Sequence, residues 1–250
     1  MKMENGKVKN IKIVCLVPAL PFEVRMDTLR SIFYQSIPVA CTILLTEKIS
    51  ENLPFPAKIS KVLNNMLVNL KLENYDYILR VDADTVLPLN FVEENLKDNF
   101  DVVGYGPAQL IKVSSFIKCM GGRMHPEHDD GYPLVKFAQC GFKTRTTYFV
   151  DPIIQRVSGK HQGSSWYISQ GELHYQYGYD IFHEIWILRK WKQYHPYGLF
   201  FFVGYIKALF QQKSRFDVAD KIMAHNLLKY KQPSRFFKFV SKRIGEKMYV

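Results

Sequence analysis

Tyr75-Asp-Tyr-Ile-Leu-Arg-Val-Asp-Ala-Asp-Thr-Val-Leu-Pro88 is the stretch on which the fold turns. Tyr77, Ile78, Leu79 and Val81 form a short apolar, partly β-branched run, the pattern of a buried strand. The run ends in two carboxylates, Asp82 and Asp84. In an extended chain, residues two apart share a face, so both acids are expected together at the carboxyl end of a strand. Open α/β sheets bind ligands at that edge. Two acids there suit a divalent cation shared with a phosphate, because hard cations take oxygen ligands from both. The competing explanation is a strand that ends in a turn, where Asp is common. An isolated Asp-x-Asp does not choose between them, so the surrounding chain must.

Working back from Tyr75, the residues Ile59, Val62, Leu63, Met66, Leu67 and Leu70 fall at helical spacing and predict an amphipathic helix up to Leu72. Val39–Leu45 predicts a strand. Met26, Leu29, Ile32 and Phe33 predict a helix capped by Asp27 or Thr28. Ile11–Val17 predicts a first buried strand, stopped by Pro18. Strand, helix, strand, helix, strand implies a parallel sheet of βαβ units. Right-handed crossovers would bring the strand ends to one edge, beside the Asp pair.

Working forward, Phe91–Lys97 predicts a short helix and Val102-Val103 a strand, followed by Gly104-Tyr-Gly-Pro107. Lys112–Cys119 is expected to be helical until Gly121-Gly122 breaks it. A polar segment holds His125, Glu127, His128, Asp129 and Asp130. A helix over Tyr132–Cys140 and β-like stretches at Thr147–Val150 and Ile153–Val157 follow. After Trp166 the chain turns aromatic and basic, which places a division between 1–165 and 166–250.

Composition fits one globular chain: 250 residues, 47% apolar, with no repeat and no low-complexity tract. The four cysteines have no C-x-x-C spacing and are expected to be free thiols in a reducing compartment. The polar segment 1–12 shows no signal-peptide pattern. Charge is unevenly placed. The formal net charge is +11, and residues 186–250 alone hold 14 basic and 3 acidic groups. Such a region implies an acidic partner, a membrane surface or a nucleic acid. No nucleic-acid-binding motif is present, so nucleic acid is not expected. Gly198–Phe210 is apolar but contains Lys207 and is shorter than the roughly 20 residues a span needs. It is expected either to pack on the N-terminal domain or to lie in a membrane interface. The second fits the aromatic and basic composition.

In order along the chain, these features resemble the family 2 glycosyltransferases of GT-A fold. Val17-Pro18-Ala19 is similar to the family's opening strand, and Leu29–Ser36 to its first helix. Lys61-Val-Leu-Asn-Asn65 is similar to its helix bearing a basic residue and Asn. Asp82-Ala-Asp84 matches its Asp-x-Asp motif. Gly121-Gly122 through Asp129-Asp130 to Lys136 and Gly141-Phe142 is similar to its Gly-Gly…Glu-Asp…Arg…Gly block. His161-Gln-Gly-Ser164-Ser165 is similar to its late His motif. Two places depart from the pattern: Leu45-Thr46-Glu47 stands where many members have an acidic pair, and Asp-Asp replaces Glu-Asp.

The resemblance implies an α/β chain with a Rossmann-like mixed, mainly parallel sheet flanked by helices, and a C-terminal aromatic and basic helical region. It implies an inverting transferase using a nucleotide diphosphate sugar and Mn2+ or Mg2+, with a lipid-linked or glycan-precursor hydroxyl as acceptor. Asp84 would bind the metal directly. Asp82 would contact the ribose or a metal-bound water, and His161 the metal or the diphosphate. Pro18, Ala19, Glu23, Lys61 and Asn65 would line the donor site. Gly121, Gly122 and Asp129 would lie on the acceptor side, with Asp130 as general base. The implied setting is cytoplasmic, peripheral on the inner face of the cell membrane. Two rival functions are a polyprenyl-phosphate sugar synthase, whose anionic acceptor needs no base, and a basic membrane- or nucleic-acid-binding protein without catalysis.

Overall fold

The computed structural model describes residues 11–19, 24–46, 53, 55–126, 128–154, 163–181, 183–185, 188 and 198–219. Glu23 and His161 lie outside them. Two units separate; among the described residues the first comprises 11–154 and the second 163–219. Composition alone places the division at 165.

In the first unit the elements run β1 (Ile13–Ala19), α1 (Met26–Phe33), β2 (Cys41–Thr46), α2 (Phe55–Val68), β3 (Tyr77–Val81), β4 (Thr85–Val86) and α3 (Phe91–Leu96), then β5 (Val102–Val103), β6 (Ala108–Lys112), α4 (Val113–Met120), α5 (Gly131–Gln139), β7 (Thr144–Arg145) and β8 (Ile153–Ile154). Six strands form one sheet in the order β2-β1-β3-β6-β5-β7, and β4 pairs separately with β8. The β1 pairings with β2 and β3 and the β5–β7 pairing are parallel, while β6 runs antiparallel to β3 and β5. The sheet is therefore mixed. Every residue of β1 and β3 is buried, which is why both read as near-continuous apolar runs. Strand β2 lies at the edge and alternates half-buried with exposed. β1 continues through Pro18, which pairs in register with Leu45. The ladder to β3 ends at Leu16, so the missing N–H of Pro18 costs nothing on that side.

Period-two alternation sorts the core into two clusters, one on each face of the sheet. Val14, Leu16, Ile78 and Ile111 pack with Val62 and Leu63 of α2, Phe116 of α4 and Phe137 of α5. Ile13, Cys15, Val17, Leu79 and Leu110 pack with Ile32 of α1 and Phe91 of α3. Helix α1 departs from its expected face. Thr28 and Ile32 are buried, whereas Met26 and Phe33 are 63% and 79% exposed. The cause is Thr28, whose hydroxyl donates to the Ala83 carbonyl at 3.0 Å and so turns the helix. Thr147–Val150, expected as a strand, instead forms bends. Tyr148 in it caps the loop between β5 and β6, its single hydroxyl proton shared between the carbonyls of Tyr105 and Ala108, which lie 2.7 and 2.6 Å from its oxygen. That loop needs glycine at 104. The residue has φ +93, and a Cβ there would sit 2.2 Å from the Tyr148 ring and 2.7 Å from the Ala108 carbonyl oxygen.

The second unit contains α6 (Ser164–Gln176) and α7 (Gly198–Phe210), packed against each other. Two glycines allow the approach. A Cβ on Gly171 would lie 1.8 Å from the Phe201 carbonyl oxygen, and one on Gly204 would lie 1.9 Å from that of Ile168. Glu172 receives Lys207 at 2.7 Å and Lys213 at 2.5 Å. Tyr175 and Tyr205 meet edge to face at 5.7 Å. Among the described residues no helix is long and apolar enough to cross a membrane.

The close approach gives a direct test. Gly171→Ala and Gly204→Ala should each push the helices apart and lower stability by about 1–3 kcal/mol. Urea unfolding of each variant measures this; a loss below a few tenths would show that the helices can separate without cost.

Candidate active site

Strand β3 ends at Val81, and the next residues form a turn closed by the Thr85 N–H donating to the Asp82 carbonyl at 3.0 Å. Ala83, at the turn's centre, is buried and anchored. Its carbonyl accepts from the Arg25 N–H at 3.1 Å and from the Thr28 hydroxyl at 3.0 Å. The Asp82 N–H donates to the Pro107 carbonyl at 2.8 Å. The Asp-Ala-Asp turn is thereby held by both the start of α1 and the β5–β6 loop. Asp82 and Asp84 flank the buried alanine and are both half-buried. Pro18 and Ala19 end β1 at this same edge of the sheet.

A second acid pair reaches this edge from 47 residues further along the sequence. The link is Arg80, a residue that disappears into the apolar run when the sequence is read for hydrophobicity. On β3 it shares the face of Ile78, beneath α5, and its side chain is 5% exposed. Its Nη2 lies 2.5 Å from Asp129 Oδ2 and 2.8 Å from Asp82 Oδ1, and its Nη1 donates to the Gly106 carbonyl. Gln109 stands opposite Arg80 in the β3–β6 register. Its amide donates to the carbonyls of Gly104 at 3.2 Å and Asp130 at 3.1 Å. The start of α5 is thus pinned by Arg80 through a side chain and by Gln109 through the backbone.

Asp130 caps α5, with Oδ1 accepting from the Gly131 N–H at 2.6 Å. Nδ1 of His128 lies 3.4 Å from the same oxygen. His128 is buried, although from the sequence alone it would be placed in a solvated loop. His125 packs on the Tyr132 ring at 4.2 Å. Upstream, Asn64 of α2 clasps Met124: its amide donates to the Met124 carbonyl at 3.1 Å, and its oxygen accepts the Met124 N–H at 2.8 Å. Lys61 is exposed on α2 and Asn65 half-buried a turn later; the described link to the 121–130 segment comes from Asn64. Gly121 ends α4 in the left-handed conformation at φ +63. Gly121 and Gly122 line a cavity of about 240 Å³ with Leu67, Leu72 and Ile117, on the α2–α4 side. No described contact joins the two glycines to the acids.

The electrostatics follow from the carboxylates of Asp82, Asp129 and Asp130 around one guanidinium, with Asp84 beside Asp82. Burial pushes Asp82 up to about 7, helped by the carboxylates of Asp129, Asp130 and Asp84 and opposed by Arg80. Its side chain keeps 37% of its surface, so solvent still reaches it. Burial also raises Asp129, against Arg80. Asp130 moves the other way. Burial would raise it, but His128, Arg80 and the Gly131 N–H together hold it below the usual range. The adjacent pair therefore splits, with the enclosed member holding its proton more tightly and the more accessible member ionised. Arg80 stays a cation, since its carboxylates outweigh its burial.

Oxygen donors in excess of positive charge suit a hard divalent cation. The fit is tested by Asp82: burial first, and then the neighbouring carboxylates, make its carboxyl group hard to ionise, and a cation would offset both. Asp82 and Asp84 are the residues that would hold such an ion.

No family model matches the chain, and no curated protein matches it. Among solved structures, a mannosyltransferase from Pyrobaculum calidifontis in complex with GDP-Man and Mn2+ is 12% identical, with a TM-score of 0.49 over 92% of this chain and 84% of that one. A mutant Drosophila β-1,4-galactosyltransferase 7, in complex with manganese, UDP-Gal and xylobiose, is 18% identical, with a TM-score of 0.44 over 61% of this chain and 76% of that one. At these values neither likeness carries an argument about the chemistry of this chain.

Two outcomes are expected. Arg80→Met strands a buried carboxylate and should cost about 3–5 kcal/mol in urea unfolding. Adding Asp129→Asn should recover part of the loss; strictly additive costs would show that the two do not act as a pair. The raised carboxyl of Asp82 binds its proton more tightly folded than unfolded. Its contribution to stability is present at low pH and is lost as pH rises from the ordinary value near 3.8 through about 7. Metal-free protein should therefore melt lower at about pH 8 than at about pH 5, and Asp82→Asn should flatten that difference. An unchanged slope in the variant would assign the pH dependence to another group.

Proposed function

We propose that the chain is a metal-dependent glycosyltransferase that inverts configuration, using a nucleotide diphosphate sugar. The observation that carries this is the convergence of Asp82-Ala-Asp84 and Asp129-Asp130 on one sheet edge through Arg80. It joins the ordered motifs that resemble the family 2 enzymes to a physical cluster with a deficit of positive charge. Supporting it, Pro18 and Ala19 end β1 at that edge, where a nucleotide would lie beside the strand ends.

On this reading Mn2+ or Mg2+ held by Asp82 and Asp84 supplies charge neutralisation for a leaving diphosphate. Asp130 is the accessible carboxylate, ionised and fixed at the α5 terminus by the Gly131 N–H. It takes the proton of an acceptor hydroxyl as that oxygen bonds to the anomeric carbon and the bond to the diphosphate breaks. One displacement from the opposite face inverts the centre. Asp129 orients this terminus by its tie to Arg80 and does not need to touch substrate.

One observation favours a second acceptor class. His128 and the helix cap draw Asp130 below the usual range, which makes it a weak base. A polyprenyl phosphate needs none, because its oxygen is already an anion. A panel of nucleotide diphosphate sugars, assayed for nucleotide release with and without Mn2+, tests the enzyme. Asp84→Asn should abolish metal-dependent turnover. Asp130→Asn should reduce kcat at least about 100-fold with a hydroxyl acceptor and only slightly with a phosphate acceptor. Absence of any nucleotide diphosphate binding by calorimetry, with Mn2+ present, would overturn the enzyme.

We further propose that the second unit attaches to an anionic membrane surface. Leu199, Val203 and Phe210 recur at helical spacing on α7 and are 61%, 44% and 82% exposed, while Phe201, Tyr205 and Ala208 face inward. This leaves an apolar stripe outward in the strongly basic part of the chain. Replacing the three with serine should weaken binding to anionic lipid vesicles about tenfold or more. Equal binding by the variant would remove the membrane from the account.

A further inference from the structure

The second unit contains a separate cluster of ligating side chains that does not depend on the acid group of the sheet edge. His174 sits in the last turn of α6. The chain turns at Gly178, with φ +80, and returns through His183 and Glu184. One ligand atom from each of His174, His183 and Glu184 lies within 4.8 Å of the other two. His174 Nδ1 stands 2.9 Å from Glu184 Oε1. Glu184 is 1% exposed, and its Oε2 makes no hydrogen bond among the described residues. Both imidazoles are held. Tyr179 stacks on His174 at 4.6 Å and on His183 at 4.4 Å, and Phe201 meets His174 edge on at 4.5 Å. The His183 N–H donates to Asp180 Oδ1 at 2.9 Å, which fixes its backbone.

A carboxylate at that depth is costly unless its charge is met. One imidazole contact meets one oxygen and leaves the other bare. A structural His174–Glu184 pair meets Oε1 and leaves Oε2 without a hydrogen bond among the described residues, while His183 brings a second ligating nitrogen within 4.8 Å. We propose that His174, His183 and Glu184 bind a transition-metal ion of the Zn2+ class. Two imidazoles and a carboxylate, with a fourth position open, are a tetrahedral zinc donor set. Imidazole ligands select against Mg2+ and Ca2+, so this site and the oxygen-rich one at Asp82 and Asp84 would take different ions. On a tetrahedral ion with bonds near 2.0–2.1 Å, ligand atoms stand about 3.3 Å apart. The His174–Glu184 distance opens by a few tenths of an ångström, and the wider separations close by side-chain rotation. The metal-binding forms are the neutral imidazole and the ionised carboxylate, so uptake weakens at low pH. The ion ties the end of α6 to the turn that follows.

The experiment is a titration of metal-free, full-length protein with Zn2+ in competition with a chromophoric chelator. One equivalent is expected to bind. His174→Ala and His183→Gln should each weaken that binding at least about 100-fold, Asp84→Asn should leave it unchanged, and zinc should raise the thermal midpoint of the wild type only. Should either histidine variant fail to fold by circular dichroism, Co2+ added to the wild type decides: intense visible bands of four-coordinate cobalt support the site, and the weak bands of six-coordinate aqueous cobalt overturn it. Absence of zinc uptake overturns it as well. So does equal affinity in wild type and variants, which would assign the zinc to other ligands such as the exposed Cys140. None of these outcomes bears on the sheet-edge acids, since no residue is shared.

Discussion

One buried guanidinium organises the first unit. Arg80 cannot shed its proton and cannot reach bulk water, so its charge must be met where it lies. Asp82, Asp129 and the Gly106 carbonyl meet it. Each comes from a different stretch: the turn after β3, the start of α5, and the loop between β5 and β6. Satisfying one side chain therefore fixes the relative positions of three segments. A hydrophobic residue at 80 would pack in the strand but would leave Asp129 enclosed without a cation.

The surrounding structure keeps those segments from drifting. Tyr148 closes the β5–β6 loop over Gly104, which tolerates no side chain, and so sets where the Gly106 carbonyl points. Gln109 holds the Asp130 backbone from the neighbouring strand. Asn64 clasps the segment leading into the acid pair, and Thr28 pins the turn between Asp82 and Asp84. These are hydrogen bonds to backbone groups, so they place main chain and leave the carboxylates to answer to charge. Asp82 and Asp130 consequently diverge, one raised and one lowered, although both belong to the same cluster.

Much of the frame is legible in the residues because buried parallel strands and amphipathic helices leave strong periodic traces. β3 falls on its expected residues, β1 lies two residues from its expected bounds and α2 four. β6 is not foreseen: Ala108-Gln-Leu-Ile-Lys112 is short, follows a proline, carries a buried glutamine, and runs into α4 without a break. Its antiparallel sense is likewise invisible to a pattern of alternating strands and helices. The acids at 82, 84, 129 and 130 stand out by type and order, but the cation that joins Asp82 to Asp129 does not. The available signal was Arg80 itself, a charge on the inward face of a strand whose other four members are buried and apolar. His128 was hidden for a similar reason: a His among acids and turn residues looks solvated until the sheet is placed beneath it. The zinc-class cluster has a spacing of nine residues between its histidines, which matches no short motif and appears only when the turn at Gly178 folds the chain back.

The charge balance at the sheet edge also bears on the metal under the proposed function. Among the described residues, Asp82, Asp129 and Asp130 surround one permanent cation, Arg80, with Asp84 beside Asp82, and that cation is already engaged by Asp82 and Asp129. A nucleotide diphosphate approaching this cluster alone meets repulsion, and desolvation as the site closes would strengthen it. A divalent ion at Asp82 and Asp84 would offset most of that negative charge and oppose the rise that burial and the neighbouring carboxylates give Asp82. Arg80 cannot play that part, because turning toward a phosphate would leave Asp129 uncompensated in the interior. The guanidinium is thus committed to structure, and on the proposed function a metal at Asp82 and Asp84 would supply positive charge for the diphosphate.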